Sequence, residues 1–202
     1  MKIYMKFLTI AALSALVVLP ASALAGGDHS TVNKSIRIDD NTTAGDVDSV
    51  NGSIRIGANS FVDSVESVNG SIKLGNDVTV DKGIDAVNGS ITVEAGCAVG
   101  GNVETVNGGI RLEHAMVSGD VETINGQLRI LQGSEVAGNV IVRKPKSWWG
   151  SNNRRKPVRV EIGENVIVRG DLVFEHAVEL QLHETARVGE IIGDEVEMVG
   201  SS

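Results

Sequence analysis

One short motif, Asn-Gly between two apolar runs, recurs along most of this chain and constrains its fold more than any other feature. Residues 67–74 read SVNGSIKL, and near copies begin at residues 49, 86, 105 and 123. The Asn-Gly pairs start at Asn51, Asn69, Asn88, Asn107 and Asn125, with Asn33 in a degenerate first copy, so the period is 18 or 19 residues. A fixed period of about this size indicates a solenoid, in which each repeat packs only on its neighbours.

Each repeat contains a two-residue alternation of apolar and polar side chains, as in Ile72-Lys73-Leu74. This alternation is typical of a strand with one buried face, and no window sustains a helical spacing. Apolar residues also recur at six-residue steps, in two sets: Ile56, Val62, Val68, Leu74 and Val80, then Ile162, Val168, Phe174, Leu180, Ala186, Ile192 and Met198. Three such steps complete one turn. The sequence therefore predicts an all-β, single-stranded, three-sided parallel β-helix of about eight coils of 18–19 residues, with a right-handed coil favoured.

The Asn-Gly pair is interpreted as a corner of this solenoid. Glycine after asparagine is expected to supply a positive φ at a tight turn without a Cβ clash. Stacked coils place the asparagines above one another, where their amides hydrogen-bond as a structural ladder. The predicted ladder consists of Asn33, Asn51, Asn69, Asn88, Asn107 and Asn125. Its role is expected to be architectural, and a ligand-binding column is the alternative.

The first 25 residues have the pattern of a secretory signal peptide. Lys2 and Lys6 form a short basic head, an apolar run follows at residues 7–19, and Ala23-Leu24-Ala25 supplies a small-x-small cleavage site. The predicted domains are a signal peptide at 1–25 and a parallel β-helix at 26–202. We expect an exported protein of the bacterial periplasm, with the cell surface as the alternative. The net charge of −8 argues against nucleic acid as a partner.

The VNGSI copies, together with the preceding segments GNVET at 101–105 and GDVET at 119–123, resemble the adhesin-like repeat family of exported bacterial proteins. The three-sided cross-section and the 3% aromatic content are similar to those of bactofilins, the polymer-forming β-helix proteins of bacteria. The resemblance covers residues 31–142 well and the remainder loosely. It implies a structural or adhesive role in the cell envelope and assembly into polymers.

Stacked repeats also place outward side chains in rows. A row of cations is predicted at Arg37, Arg55, Lys73, Arg111 and Arg129, with Thr92 in the middle, and a row of acids at Asp48, Glu66, Asp85, Glu104 and Glu122. Like charges at one-coil spacing repel each other unless counterions lie along them. The simplest interpretation is that both rows are solvated. The alternatives are a linear anionic polymer on the basic row and sideways pairing of two rods, basic row to acidic row.

One corner is interrupted by a basic insertion at 143–159 with both tryptophans of the chain. Such a long loop in a compact repeat is usually functional or disordered. Cations beside indoles suit an anionic membrane surface, a polyanionic envelope polymer or sugar rings. The predicted partner-binding residues are Arg143, Lys144, Lys146, Trp148, Trp149, Arg154, Arg155 and Lys156. The alternative is a flexible loop whose indoles fold back over the solenoid.

No catalytic, metal or cofactor site is predicted. The two Glu-His-Ala segments at 113–115 and 175–177 fall in different registers and about three coils apart, too far to share a metal ion. The hexapeptide acyltransferases also use three-sided coils, but their small residue four positions after the apolar one is replaced here, as Glu66 after Val62 shows. Cys97, the single cysteine, is expected to be a buried apolar residue, and a reactive or interchain thiol is the alternative.

The sequence therefore predicts a non-enzymatic, exported structural or adhesin-like β-solenoid. Unpaired strand edges at both ends of such a rod favour end-to-end self-association. The alternative is a monomeric module that binds an anionic envelope glycan or a lipid headgroup through the basic insertion.

Overall fold

The structure is a computed structural model that describes residues 26–144 and 156–200. Within these ranges the chain forms 24 strands: β1 (His29–Thr31), β2 (Ile36–Ile38), β3 (Val47–Asn51), β4 (Ile54–Ile56), β5 (Phe61–Val62), β6 (Val65–Asn69), β7 (Ile72–Leu74), β8 (Thr79–Val80), β9 (Ile84–Ala86), β10 (Ile91–Val93), β11 (Ala98–Val99), β12 (Val103–Thr105), β13 (Ile110–Glu113), β14 (Met116–Val117), β15 (Val121–Thr123), β16 (Leu128–Leu131), β17 (Glu135–Val136), β18 (Val140–Val142), β19 (Val158–Ile162), β20 (Ile167–Val168), β21 (Leu172–Phe174), β22 (Val178–Leu182), β23 (Ile191–Ile192) and β24 (Val196–Met198). The described residues contain no helix.

The strands form three parallel sheets that the chain visits in turn. Sheet A has the order β1-β3-β6-β9-β12-β15-β18-β21-β23, sheet B the order β2-β4-β7-β10-β13-β16-β19-β22-β24, and sheet C the order β5-β8-β11-β14-β17-β20. Neighbouring strands within a sheet are one turn apart, so the nine strands of sheet A span eight turns. The predicted three-sided parallel β-helix is confirmed. Its right-handed sense stays a prediction.

The core is a stack of aliphatic side chains in register from turn to turn. In sheet B, Ile54 pairs with Ile72, Ile72 with Ile91, and Ile91 with Ile110. These four side chains are at most 1% exposed. Burying each isoleucine contributes about 1.5–3 kcal/mol relative to an exposed side chain, so repetition supplies the stability that a small domain otherwise lacks.

The six-residue periodicity predicted that Val68 points into the core, and this was wrong. Val68 is 41% exposed, whereas Val65 is buried and Ser67 is 3% exposed. Strand β6 alternates strictly, so Val65 and Ser67 face inward while Glu66 and Val68 face outward. A small polar residue fits beside the corner because it can bond to the backbone there, as the Thr105 hydroxyl does to the Gly89 carbonyl oxygen at 3.1 Å.

The asparagines at the corner between sheets A and B form a continuous side-chain ladder. Each Nδ2 donates to the Oδ1 of the asparagine one turn earlier. The donor–acceptor distances are 3.0 Å for Asn51 to Asn33, 2.9 Å for Asn69 to Asn51, Asn88 to Asn69 and Asn107 to Asn88, and 3.0 Å for Asn125 to Asn107. The ladder therefore ties together six consecutive turns at one corner.

The glycine that follows five of the six ladder asparagines has a different role from the predicted one. None of these glycines has a positive φ; the positive-φ residues lie at the corner between sheets B and C, at Asn59, Asp77 and Gly96 among others. A Cβ atom added at Gly89 would instead strike the carbonyl oxygen of Gly70 in the preceding turn. Glycine is required because the backbones of successive turns approach each other closely at this corner.

We expect Gly89→Ala to lower the free energy of unfolding by about 2–3 kcal/mol, because the new methyl group meets backbone that cannot rotate away. Urea denaturation followed by circular dichroism measures the change. Gly109→Ala is the matched control: its Cβ would lie 3.3 Å from the Gln127 carbonyl oxygen, and neighbouring repeats carry Ser71 and Ser90 at this position. Equal, small losses in both variants would contradict the close-approach explanation.

Candidate functional site

The predicted basic row lies on the outer face of sheet B, where strand pairing aligns Arg37 with Arg55, Arg55 with Lys73 and Arg111 with Arg129. Most of these cations are paired with carboxylates. Lys73 Nζ lies 2.6 Å from Glu94, Arg111 Nη2 lies 2.7 Å from Glu113, and Arg129 Nε lies 2.7 Å from Glu161. Surface pairs stabilise the fold by only about 0–1 kcal/mol each, but they reduce the attraction of this row for a polyanion.

The acidic row lies on the outer face of sheet A and is less compensated. Strand pairing aligns Glu66 with Asp85, Asp85 with Glu104, and Glu104 with Glu122. Glu122 accepts a 2.6 Å hydrogen bond from Arg143 Nε. Among the described residues, no cation lies within ion-pair distance of Glu66, Asp85 or Glu104. Carboxylates about 4.8 Å apart therefore face solvent with little local neutralisation.

Asp85, at the centre of this row, has a shifted pKa. Partial burial of the carboxylate, with the neighbouring charges of Glu104 and Glu66, raises the pKa of Asp85 to about 6. At neutral pH Asp85 is therefore ionised in the folded chain, although the negative charges of the neighbouring acids oppose its ionisation. A cation brought into the row would relieve that repulsion.

A second row of outward side chains runs beside the acidic row, two residues further along each strand. It consists of Val32, Val50, Val68, Val87, Val106 and Ile124. The first four are 60%, 41%, 41% and 40% exposed. The two rows and the small residues between them line an open groove of about 590 Å³ along six turns of sheet A. We call it the acidic–valine groove.

The basic insertion leaves the solenoid at the end of this groove. Arg143 follows strand β18, and its guanidinium contacts both Glu122 at 2.6 Å and Glu175 at 3.4 Å. The Lys144 backbone N–H donates to Glu175 at 2.9 Å. The structure therefore brings Arg143 to the end of the groove, whereas Lys144 is held at Glu175 and Lys156 lies in a separate depression beside Pro157 and Glu179. The remaining predicted partner-binding residues, Lys146, Trp148, Trp149, Arg154 and Arg155, lie outside the described residues.

Two further chemistry-bearing side chains, His176 and Cys97, make contacts within the solenoid. His176 Nε2 lies 3.1 Å from the Ile124 carbonyl oxygen, and the Cys97 thiol is buried and donates to the Gly75 carbonyl oxygen at 3.0 Å. Burial raises the pKa of the Cys97 thiol to about 11, so the thiol is protonated at neutral pH and is a poor nucleophile. Within residues 26–144 and 156–200, no three His, Cys, Asp or Glu side chains are grouped so that they could hold a metal ion.

The last described turn is open. The side chains of Ile191 and Ile192 in β23 are 41% and 46% exposed, and those of Met198 and Val199 at the end of β24 are 58% and 45% exposed. Strands β23 and β24 are the last of their sheets, and among the described residues none pairs with their outer edges. Apolar side chains and unpaired backbone groups thus lie together at this end of the rod.

Comparison of the chain with family models, with curated proteins and with solved structures finds no match. The resemblance to adhesin-like repeats and to bactofilins stays a prediction. In the part of the chain that the structure describes, no helix has the length and apolar character needed to span a membrane.

The valine row is the feature that sequence reasoning missed. Six-residue counting assigned Val68 to the core. The two-residue alternation from Val65 onward instead places Val68 on the same outward face as Glu66. Strict two-residue alternation carried through to the corner would have found both rows of the groove.

We expect Asp85→Asn to stabilise the protein above pH 6. The folded-state pKa is raised from the ordinary 3.8 to about 6, so the charged carboxylate destabilises the fold above pH 6, and this penalty disappears as the pH falls toward 4. After allowance for solvent screening, the gain at pH 8 is about 1 kcal/mol. Thermal unfolding from pH 4 to pH 8 measures it. Asp194→Asn, near the end of the rod, is the control, and a gain that is constant across the pH range would contradict the assignment.

Proposed function

We propose that this protein is a non-enzymatic structural rod of the bacterial cell envelope and that it self-associates end to end. The observation that carries the proposal is the open last turn, where apolar side chains and unpaired strand edges lie side by side. A second copy placed there would extend the parallel sheets by one more step of about 4.8 Å. The same backbone hydrogen bonds that join the turns of one molecule would then join two molecules.

The contact would be head to tail. The last turn presents the acids Glu184, Glu190, Asp194, Glu195 and Glu197, so two such ends repel each other. The first turn presents Lys34 and Arg37 beside its acids, which makes it the better partner. A head-to-tail contact uses two different surfaces and does not close on itself, so it generates filaments.

The envelope location rests on the sequence. The signal-peptide pattern at 1–25 supports export, and the resemblance of the VNGSI repeats to adhesin-like proteins supports a structural or adhesive role. We propose the periplasm as the compartment, with the cell surface as the alternative. The β-solenoid fold is compatible with such a role because its rigidity comes from repetition.

A second candidate function is binding of an anionic envelope glycan or lipid headgroup by a single molecule. Its support is the basic insertion, in which residues 143–156 contain six cations, two tryptophans and no acid. Arg143 is already paired with Glu122 and Glu175, and Lys144 also has a partner, so the later part of the segment with its indoles would have to make the contact.

End-to-end association is tested by Met198→Lys, because a charge at the open turn prevents burial of that end against a second copy. We expect the variant to remain monomeric under conditions in which the wild-type protein forms rods that lengthen with concentration. Light scattering and negative-stain electron microscopy measure the difference. Met116→Lys is the matched control, since Met116 in sheet C is 57% exposed and Met198 is 58% exposed. Loss of assembly in both variants, or in neither, would contradict the proposed end contact.

A further inference from the structure

The acidic–valine groove has the composition of a surface that is covered by a partner. Its apolar row is continuous over six turns, about 24 Å, and exposed apolar strips rimmed by polar groups mark interaction sites. The adjacent Glu66 and Asp85 have no cation at ion-pair distance within the described residues. A partner that brings cations beside apolar side chains would bury the valine row and neutralise the acidic row together.

The structure shows how a cation is held at this groove. Arg143 lies one turn beyond Ile124, because its backbone N–H donates to the Thr123 carbonyl oxygen at 2.8 Å. From this position in the valine row, its Nε atom bonds to Glu122 in the acidic row at 2.6 Å. A guanidinium in one row therefore reaches a carboxylate in the other. Cations placed over Val87 or Val68 would reach Asp85 or Glu66 in the same way.

This chain carries a segment of complementary chemistry. Residues 143–156 read RKPKSWWGSNNRRK, with six cations, two tryptophans and no acid. Indoles suit an apolar row, and the cations suit the acids beside it. Charge complementarity thus points to the basic segment as the occupant of the groove.

The length of the segment argues that the occupant comes from a second molecule. Residues 145–155 leave from and return to the same corner, so half of their length, about 18 Å when extended, is the farthest reach along the rod. Asp48 and Val50 lie five turns from Arg143, about 24 Å. The far half of the groove is therefore beyond the reach of the molecule's own segment, but a second rod lying alongside can cover it.

We propose that two copies of this chain pair side by side and antiparallel, with residues 145–155 of the basic segment of each copy seated in the acidic–valine groove of the other, while Arg143 and Lys144 stay bonded to Glu122 and Glu175 of their own molecule. A two-fold axis makes both contacts identical and closes the pair as a dimer. This contact uses the sides of the rods and does not depend on the end-to-end association proposed above.

The test is sedimentation equilibrium of protein purified from cells that express the full 202-residue chain, in the Met198→Lys background. We expect a dimer at low salt that dissociates as salt is added. Reversal of the groove, Glu66→Lys with Asp85→Lys, is expected to weaken dimerisation at least 10-fold. Reversal of the segment, Arg154→Glu with Arg155→Glu, is expected to do the same, and the four changes together are expected to restore the dimer because the charges are exchanged.

The control is Asp63→Lys with Asp81→Lys, which makes the same change of charge at two acids that stack at the corner after sheet C. It should leave the dimer intact. A monomer at every concentration and salt level would overturn the inference, and so would a dimer that survives both reversals. A variant with all four changes that unfolds at the same temperature as the wild-type protein and yet fails to dimerise would also overturn the proposal that the segment binds in the groove.

Discussion

The stacking of one turn on the next, through backbone hydrogen bonds at a spacing of about 4.8 Å, is the constraint on which the rest of this structure depends. At the corner between sheets A and B this spacing excludes a Cβ atom, which explains why glycine follows every ladder asparagine after Asn33, the first of the six. It also brings the amides of Asn69 and Asn88 to 2.9 Å. Because each position in the repeat meets the same position one turn away, a single favourable contact is repeated along the rod.

The same repetition stacks like charges on the outer faces of the sheets, where they repel each other. The two charged rows differ in how far this repulsion is relieved. On sheet B, Lys73, Arg111 and Arg129 are each bonded to a nearby glutamate, so the basic row is largely neutralised within the molecule. On sheet A most of the acids have no cation at ion-pair distance within the described residues, and partial burial together with the charges of Glu104 and Glu66 raises the pKa of Asp85. Because of this asymmetry, sheet A is the face on which a cationic partner would relieve the most repulsion.

Periodicity made the fold predictable, because a repeat of 18 or 19 residues with alternating strands leaves few architectures other than a three-sided coil. The rows of outward charges followed from the same count. The errors arose where a count says nothing about direction or distance. Counting by six placed Val68 in the core because it ignored the face toward which the last residues of the strand point. A positive φ was predicted for Gly89, but glycine is required there because the Gly70 carbonyl oxygen leaves no room for a Cβ atom.

The candidate site was only half predictable. The acidic row and the basic insertion were visible in the sequence, but the contact between them was not. The contact of Arg143 with Glu122 joins residues on neighbouring turns through the shape of the corner. The valine row beside the acids became visible only once the outward face of sheet A was known. The open last turn depends on which strands lack a neighbour, and the repeat pattern does not report this.

Mass per unit length, measured by scanning transmission electron microscopy across a concentration series, shows whether the molecule is a unit of a stacked rod. A chain of 21.2 kDa that rises about 40 Å over eight turns has roughly 0.5 kDa per Å. We expect rods of this density, or of twice this density where rods pair sideways, with lengths that increase with concentration. Particles that keep the length of one molecule, about 40 Å, at every concentration would contradict it.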